Sequence, residues 1–334
     1  MALIIAAGTV LAIAAAGLVL QDRASDDNRA CTSDGDTPRA ELVYLVRPRR
    51  NVAGVADRIC RRLVQVGVSG ATVRRSGNDR IVIGVPESEG GARVAERFAG
   101  PGRLYIYDWE GNVIGDPLRP IATLYRAVER AAGSGPPGSY YLFDGRKAHA
   151  AGPAPSRKDL LSEHDGRVPV GYEVLEVPDG TVVLRAERPE DLAADAPFER
   201  YFIVRDNPEL RDTDLTKPRQ EVDPTTNEPI VVFEFTSSGR RRFHELTRRL
   251  AARGQTRVIP GRPTEESFQT FAIVLDRQVL SRPLIDYREN PDGIDGRAGA
   301  QISGGFTLRE TQDLADSLKT APPVDLILVR QASG

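Results

Sequence analysis

At 334 residues the chain has room for about two domains. Its apolar share of 40% allows real cores, and its 28% of charged residues is ordinary for a soluble surface. A net charge of −2 supplies no field that would draw in nucleic acid or an anionic membrane.

Residues 2–20 carry no charge, and Thr9 is their only polar side chain. At ~1.5 Å per residue such a helix reaches about 28 Å, close to the apolar thickness of a bilayer. Residues 1–21 therefore read as an uncleaved transmembrane anchor or as a secretory signal segment. The anchor is favoured on length, although no basic flank precedes the apolar run. Either reading exports the rest of the chain: the body is extracytoplasmic on a single-pass anchor, or secreted after cleavage. Residues 22–38 are polar and aperiodic, a flexible linker. The two cysteines are Cys31 in that linker and Cys60 on the apolar side of a predicted helix. One linker thiol and one buried small residue is the favoured reading over a disulfide.

The first folded unit begins with the strand ELVYLV at 41–46. Asn51 then caps a helix whose apolar residues recur at Val52, Val55, Ala56, Ile59, Cys60 and Leu63, a stripe that faces a sheet. ATVRR and RIVIGVP flank Ser76, Gly77, Asn78 and Asp79, which predicts a hairpin. A second helix is expected at 88–98 and a strand, RLYIYDW, at 103–109. The order β-α-β-β-α-β is the ferredoxin-like pattern. A helix at 121–132 follows, and the Gly/Pro run at 133–138 breaks the chain.

The second unit opens on YYLFD at 140–144. EVLEV and TVVLRAE around Pro178, Asp179 and Gly180 predict another hairpin, and YFIVRD at 201–206 a strand. Residues 207–227 are polar and proline-punctuated, which predicts a long surface loop. VVFEF alternates as a strand, and Ser238 starts a helix with Phe243, Leu246 and Leu250 inward. FAIVLD and VLSRPLI form a hairpin around Arg277 and Gln278, and GAQISG is a short strand. Thr307 with Glu310 makes a capping box for the last helix, and VDLILV is a buried final strand.

Catalytic constellations are missing. His149, His164 and His244 have no metal-ligand spacing to one another or to the cysteines. No nucleophile elbow and no phosphate-binding glycine loop is present. ENPDGIDGR lacks the alternating acidic positions of a calcium loop. No catalytic, cofactor or metal residues are expected, and the chain does not read as an enzyme. The one charged feature is the arginine-rich helix, with Arg240, Arg241, Arg242, Arg248, Arg249 and Arg253. Its ordinary reading is a solvated face; its sharper one is a partner contact through Arg240, Arg241, Arg248 and Arg249.

Several of these runs, in the same order, resemble the large extracytoplasmic domain of the SecD/SecDF family of protein-export membrane proteins. They are VADRICRRLVQVGVSGATVRRSGNDRIVIGVPE, DPTTNEPIVVFEFTSSGRRRF, FAIVLDRQVLSRPLI, QISGGFT and TQDLADSLK. The resemblance implies an α+β fold: a ferredoxin-like base subdomain with an inserted α+β head. The base would occupy 39–135 and 306–330, and the head 136–305. Gly304 and Gly305 would then form a hinge at the head–base junction. The implied partners are exported unfolded polypeptides and membrane components of the Sec translocase, with no cofactor. Family members continue into a multi-helix membrane region, so a chain ending at Gly334 would lack proton conduction of its own. The family's Gly-Ala-Leu-Pro after the last helix is Thr320-Ala321-Pro322-Pro323 here. An envelope interaction protein that kept the fold but left export is the alternative reading.

Overall fold

The computed structural model describes residues 39–49, 51–65, 70–86, 102–133, 135–187, 198–303, 306–320 and 324–332. Six α-helices lie among them: α1 (Val52–Gln65), α2 (Trp109–Asn112), α3 (Leu124–Ala131), α4 (Arg157–Leu160), α5 (Ser237–Thr256) and α6 (Leu308–Thr320).

The first sheet is antiparallel. Arg39–Arg47 pairs on one side with Arg80–Pro86 and on the other with Asp325–Ala332, and Thr72–Ser76 forms the edge beyond Arg80–Pro86. α1 starts where Asn51 caps it, its Oδ1 accepting from Gly54 N at 3.2 Å. Its stripe of Val55, Ala56, Ile59, Cys60 and Leu63 covers Leu42, Tyr44, Val46, Ile81 and Ile83. The alternate residues Val43, Leu45, Val82, Ile327 and Val329 point to the opposite face and meet a second sheet and α4. Both faces are buried, which is why ELVYLV, RIVIGV and LILV read as almost unbroken apolar runs. Each fully buried Leu, Ile or Val here contributes about 1.5–3 kcal/mol of transfer free energy.

That second sheet has Pro137–Phe143 between His149–Ala154 and Glu173–Pro178. A central sheet runs Leu210–Arg211, Leu104–Asp108, Gln269–Leu275, Gln278–Ser281, Thr181–Arg185, Tyr201–Arg205. α3 lies where the two meet: its Tyr125 and Val128 share a core with Tyr141 and Phe143 of the second sheet and Val183 and Tyr201 of the central one. A last sheet, Leu215–Val222, Pro229–Phe235 and Ala300–Ile302, packs with α5 and α6 onto the central sheet. Phe233, Phe243, Phe271 and Leu314 sit in that core.

Four sequence expectations change. Leu104–Asp108 does not complete the first sheet. It pairs antiparallel with Gln269–Leu275, and Asp325–Ala332 holds the place beside Arg39–Arg47. Its alternate residues enter two different cores, Ile106 with the α5 side and Tyr107 with the Trp109 side, which only a central strand can do. The runs around Pro178, Asp179 and Gly180 do not pair as a hairpin either. Glu173–Pro178 pairs with Pro137–Phe143, whereas Thr181–Arg185 pairs with Tyr201–Arg205, so the Gly180 turn (φ 72°) carries the chain from one sheet to the next. Residues 207–227 are not a loop throughout: Leu215–Val222 is an edge strand against Pro229–Phe235. Its polarity suits an edge, and its ladder slips where Lys217 takes φ 51° and Pro218 follows. The turn after FAIVL is Asp276–Arg277, one residue earlier than expected, because both its residues adopt positive φ (48° and 68°) and Gln278 enters the next strand.

Cys60 is also not a free thiol. It is disulfide-bonded; Cys31 lies outside the described residues. The apolar position on α1 hid the bond, since a buried half-cystine and a buried thiol look alike in sequence. In denatured, unreduced protein, Cys60 is expected to resist iodoacetamide and to react only after reduction; peptide mapping that finds it alkylated without reductant would contradict the bond. The expected anchor and linker at 1–38, the helix at 88–98 and the glycines Gly304 and Gly305 also lie outside the described residues. Among the described residues no helix is long and apolar enough to cross a membrane.

Candidate functional site

The arginine helix α5 is built to sit on the fold with one face. Thr236 rather than Ser238 caps it, its Oγ1 accepting from Gly239 N at 3.1 Å. Phe243, Leu246, Thr247, Leu250, Ala251 and Gly254 are buried on the inner side. Gly239 permits the closest approach: a Cβ there would lie 2.2 Å from the backbone O of Asp214. Replacing a helical Gly by Ala ordinarily gains about 1 kcal/mol. Here Gly239→Ala should instead lower stability by about 1–3 kcal/mol, since backbone on the facing turn must move. Thermal melting tests this, and a raised midpoint would show the approach to be loose.

The arginines divide by what faces them. Arg253 donates to Asp108 (Nη1–Oδ2 3.0 Å, Nη2–Oδ1 2.5 Å) and to Gln269 Oε1 at 2.6 Å. Asp108 is itself the cap of α2, accepting from Gly111 N at 3.0 Å, so this group ties α5 to the central sheet. Glu110 of α2 accepts from Thr270 N at 2.9 Å. Arg242 reaches the buried Asp214 at 3.2 Å, and Arg249 reaches Glu209 at 2.5 Å. Arg240 makes a longer contact, 3.9 Å, with the half-exposed Asp295. Arg241 and Arg248 are exposed and form no ion pair among the described residues. Seven residues apart, they project from one side of the helix about 10 Å from each other. Of the four residues expected to meet a partner, Arg249 is thus engaged within the fold, Arg240 is loosely held, and Arg241 and Arg248 face solvent.

A second charged constellation joins the sheets. Asp276, in the two-residue turn, directs its carboxylate inward. Oδ1 accepts from Gly102 N (2.9 Å) and Arg103 N (2.8 Å), and Oδ2 lies 3.7 Å from Arg62 Nη1 on α1. Both side chains are under a tenth exposed. Burial pushes the Asp276 carboxyl above its ordinary pKa, against the opposing pull of Arg62 and the two N–H donors. Next to it, Arg277 donates to the buried Tyr141 hydroxyl at 3.0 Å, and Arg277 O accepts from Arg185 N at 2.8 Å. One turn therefore holds α1, the entry to Leu104–Asp108, the second sheet and the Thr181–Arg185 strand. Nothing in the sequence marked Asp276 for this role; an aspartate in a tight turn is ordinarily solvated.

The histidines do not converge. His149 packs near Tyr141 and Phe143, and His164 near Tyr172. Among the described residues no group of three His, Cys, Asp or Glu could hold a metal ion.

Residues 190–322 match the family model described as SecDF, P1 head subdomain. That span contains α5, all of α6 and the Asp276–Arg277 turn. Over that span the chain is similar to the SecD/SecDF family. The chain is 37% identical over 131 residues to the protein translocase subunit SecD of Acetobacter pasteurianus, covering 39% of this chain and 21% of that one. It is 26% identical over 265 residues to SecD of Treponema pallidum, covering 78% of this chain and 34% of that one. The chain spans about a fifth to a third of the length of the curated SecD relatives it matches. Among solved structures it is similar to SecDF in its super-membrane-facing form, with 18% identity, coverage of 88% of this chain and 30% of that chain, and a TM-score of 0.36. A second SecDF structure, of a membrane component that enhances protein export, covers 86% of this chain and 96% of that one at 19% identity and a TM-score of 0.34. Superpositions this loose carry no conclusion about detail.

Proposed function

We propose that this SecD-type chain is an accessory module of protein export that contacts translocated polypeptide at the outer face of the membrane. It works by contact rather than by catalysis. The observation that carries the reading is the head-subdomain match over 190–322, which includes the whole arginine helix. In this reading the first sheet with α1 is a ferredoxin-like base, entered at Arg39–Arg47 and closed by Asp325–Ala332, and α6 leads into that closing strand while packing on the last sheet. The remainder is an inserted α+β head. The apolar residues 2–20 tether the module to the membrane. Arg241 and Arg248, with Arg240 beside them, offer guanidinium donors to the carbonyls and carboxylates of an extended chain.

Fluorescence anisotropy with a labelled, permanently unfolded polypeptide tests the contact. Binding is expected, weakened severalfold in R241E/R248E and at raised salt, with the native form of the same polypeptide bound more weakly. Equal affinity for native and unfolded forms, or no binding, would refute it.

A further inference from the structure

A cavity of about 150 Å³ opens where the second and central sheets meet. At about 10–15 Å³ per water, it has room for a ligand of several heavy atoms. Its floor is buried: Tyr141, Tyr201 and Val183 lie under a tenth exposed. Leu124 of α3 adds a further apolar wall, and two guanidiniums are supplied by Arg185, at the end of the Thr181–Arg185 strand, and Arg277, in the Asp276–Arg277 turn. Both are oriented by tyrosines of the floor. Arg277 Nη1 donates to Tyr141 Oη at 3.0 Å, and Arg185 Nη2 lies 3.4 Å from Tyr201 Oη, with its guanidinium 5.9 Å above that ring. Asp276 also lines the cavity, but its carboxylate is committed to Gly102 N, Arg103 N and Arg62.

We propose that this cavity is a binding site for a small amphiphilic carboxylate: a carboxylate group held between Arg185 and Arg277, on a short apolar stem against Leu124 and Val183. The planar Arg277 guanidinium, fixed by its hydrogen bond to a phenol, loses little side-chain freedom on receiving a planar carboxylate, and Arg185 adds a second positive charge from the adjoining strand. The apolar walls disfavour a fully hydrated inorganic anion and favour a group that brings its own apolar surface. The site lies apart from the outer face of α5 and does not depend on the export reading.

The test uses the full chain and N-acetyl-L-leucine as the probe, followed by ligand-observed saturation-transfer NMR and calorimetry. Saturable binding at about millimolar concentration is expected, as for a fragment of this size. N-acetyl-L-leucinamide, which lacks the charge, should bind at least tenfold more weakly, and inorganic phosphate at equal concentration should not displace the acid. R185Q and R277Q should each weaken the acid at least tenfold while far-UV circular dichroism and melting temperature stay near those of the parent. If R277Q unfolds, R185Q alone decides, because Arg185 stands on the Thr181–Arg185 strand and not in the Asp276–Arg277 turn. Equal binding of acid and amide, displacement by phosphate, or acid binding unchanged in a folded arginine variant would overturn the proposal.

Discussion

Arg62→Met should destabilise the protein by about 3–5 kcal/mol, because it strips the counter-charge from a buried carboxylate. Arg62 and Asp276 lie 3.7 Å apart with side chains 4% and 9% exposed, so water cannot take the place of the lost guanidinium. The pH dependence gives the effect a signature. The Asp276 carboxyl titrates above its ordinary value in the folded chain, so above that ordinary value the folded state binds the proton more readily than the unfolded state does. Its contribution to stability is therefore greatest in acid and is lost as the pH rises through the folded-state pKa. Without Arg62 that pKa moves further up, and the variant's deficit should shrink as the pH is lowered, because a protonated carboxyl needs no counter-charge; about pH 7 and about pH 5 are the conditions to compare. Urea midpoints of parent and variant at the two pH values measure this. Arg62→Met with Asp276→Asn should recover part of the loss, since the amide oxygen still accepts from Gly102 N and Arg103 N and leaves no buried charge. A small, pH-independent deficit would mean that the pair is effectively solvated.

Phe243→Ala should cost about 3–5 kcal/mol, the other large loss. Phe243 is 1% exposed on the inner face of α5. Its ring stacks on Phe235 at 4.7 Å and meets Phe271 edge-on at 5.8 Å, so it bonds the helix to two different sheets. No single neighbour can collapse into the space it leaves. Phe243→Leu should cost far less, on the order of 1 kcal/mol, because it keeps most of the volume. Chemical denaturation of the two variants side by side measures the contrast. A loss under about 1 kcal/mol for alanine would show that the site relaxes freely and that α5 is not anchored there.

How much of this was legible in the sequence depended on whether a signal was local. α1 could be read because Asn51 caps it and its stripe recurs with helical spacing. The box at α6 could be read because Thr307 and Glu310 satisfy each other's backbone, with Thr307 N to Glu310 Oε2 at 2.9 Å and Glu310 N to Thr307 Oγ1 at 3.2 Å. The hairpin at Gly77 carried its own turn chemistry. What failed was pairing across long separations. Leu104–Asp108 reads as the fourth strand of a nearby sheet, and only the folded chain shows that its partner lies at Gln269–Leu275. Leu215–Val222 escaped because an edge strand has no apolar alternation to display. The arginine helix was visible as a charged surface, but its division was not. Asp108, Asp214 and Glu209 that engage Arg253, Arg242 and Arg249 come from other parts of the chain.

The reading of this chain as an export module that touches its client through the outer face of α5 is tested most directly in the cell. A photo-crosslinking amino acid is placed at position 241 or 248, and at position 146, an exposed turn of the second sheet, as the control. A secretory polypeptide is then stalled in transit and the cells are irradiated. Adducts to the stalled chain from 241 and 248, with few or none from 146, are the predicted result. Adducts absent from all three positions, or equal at all three, would contradict it.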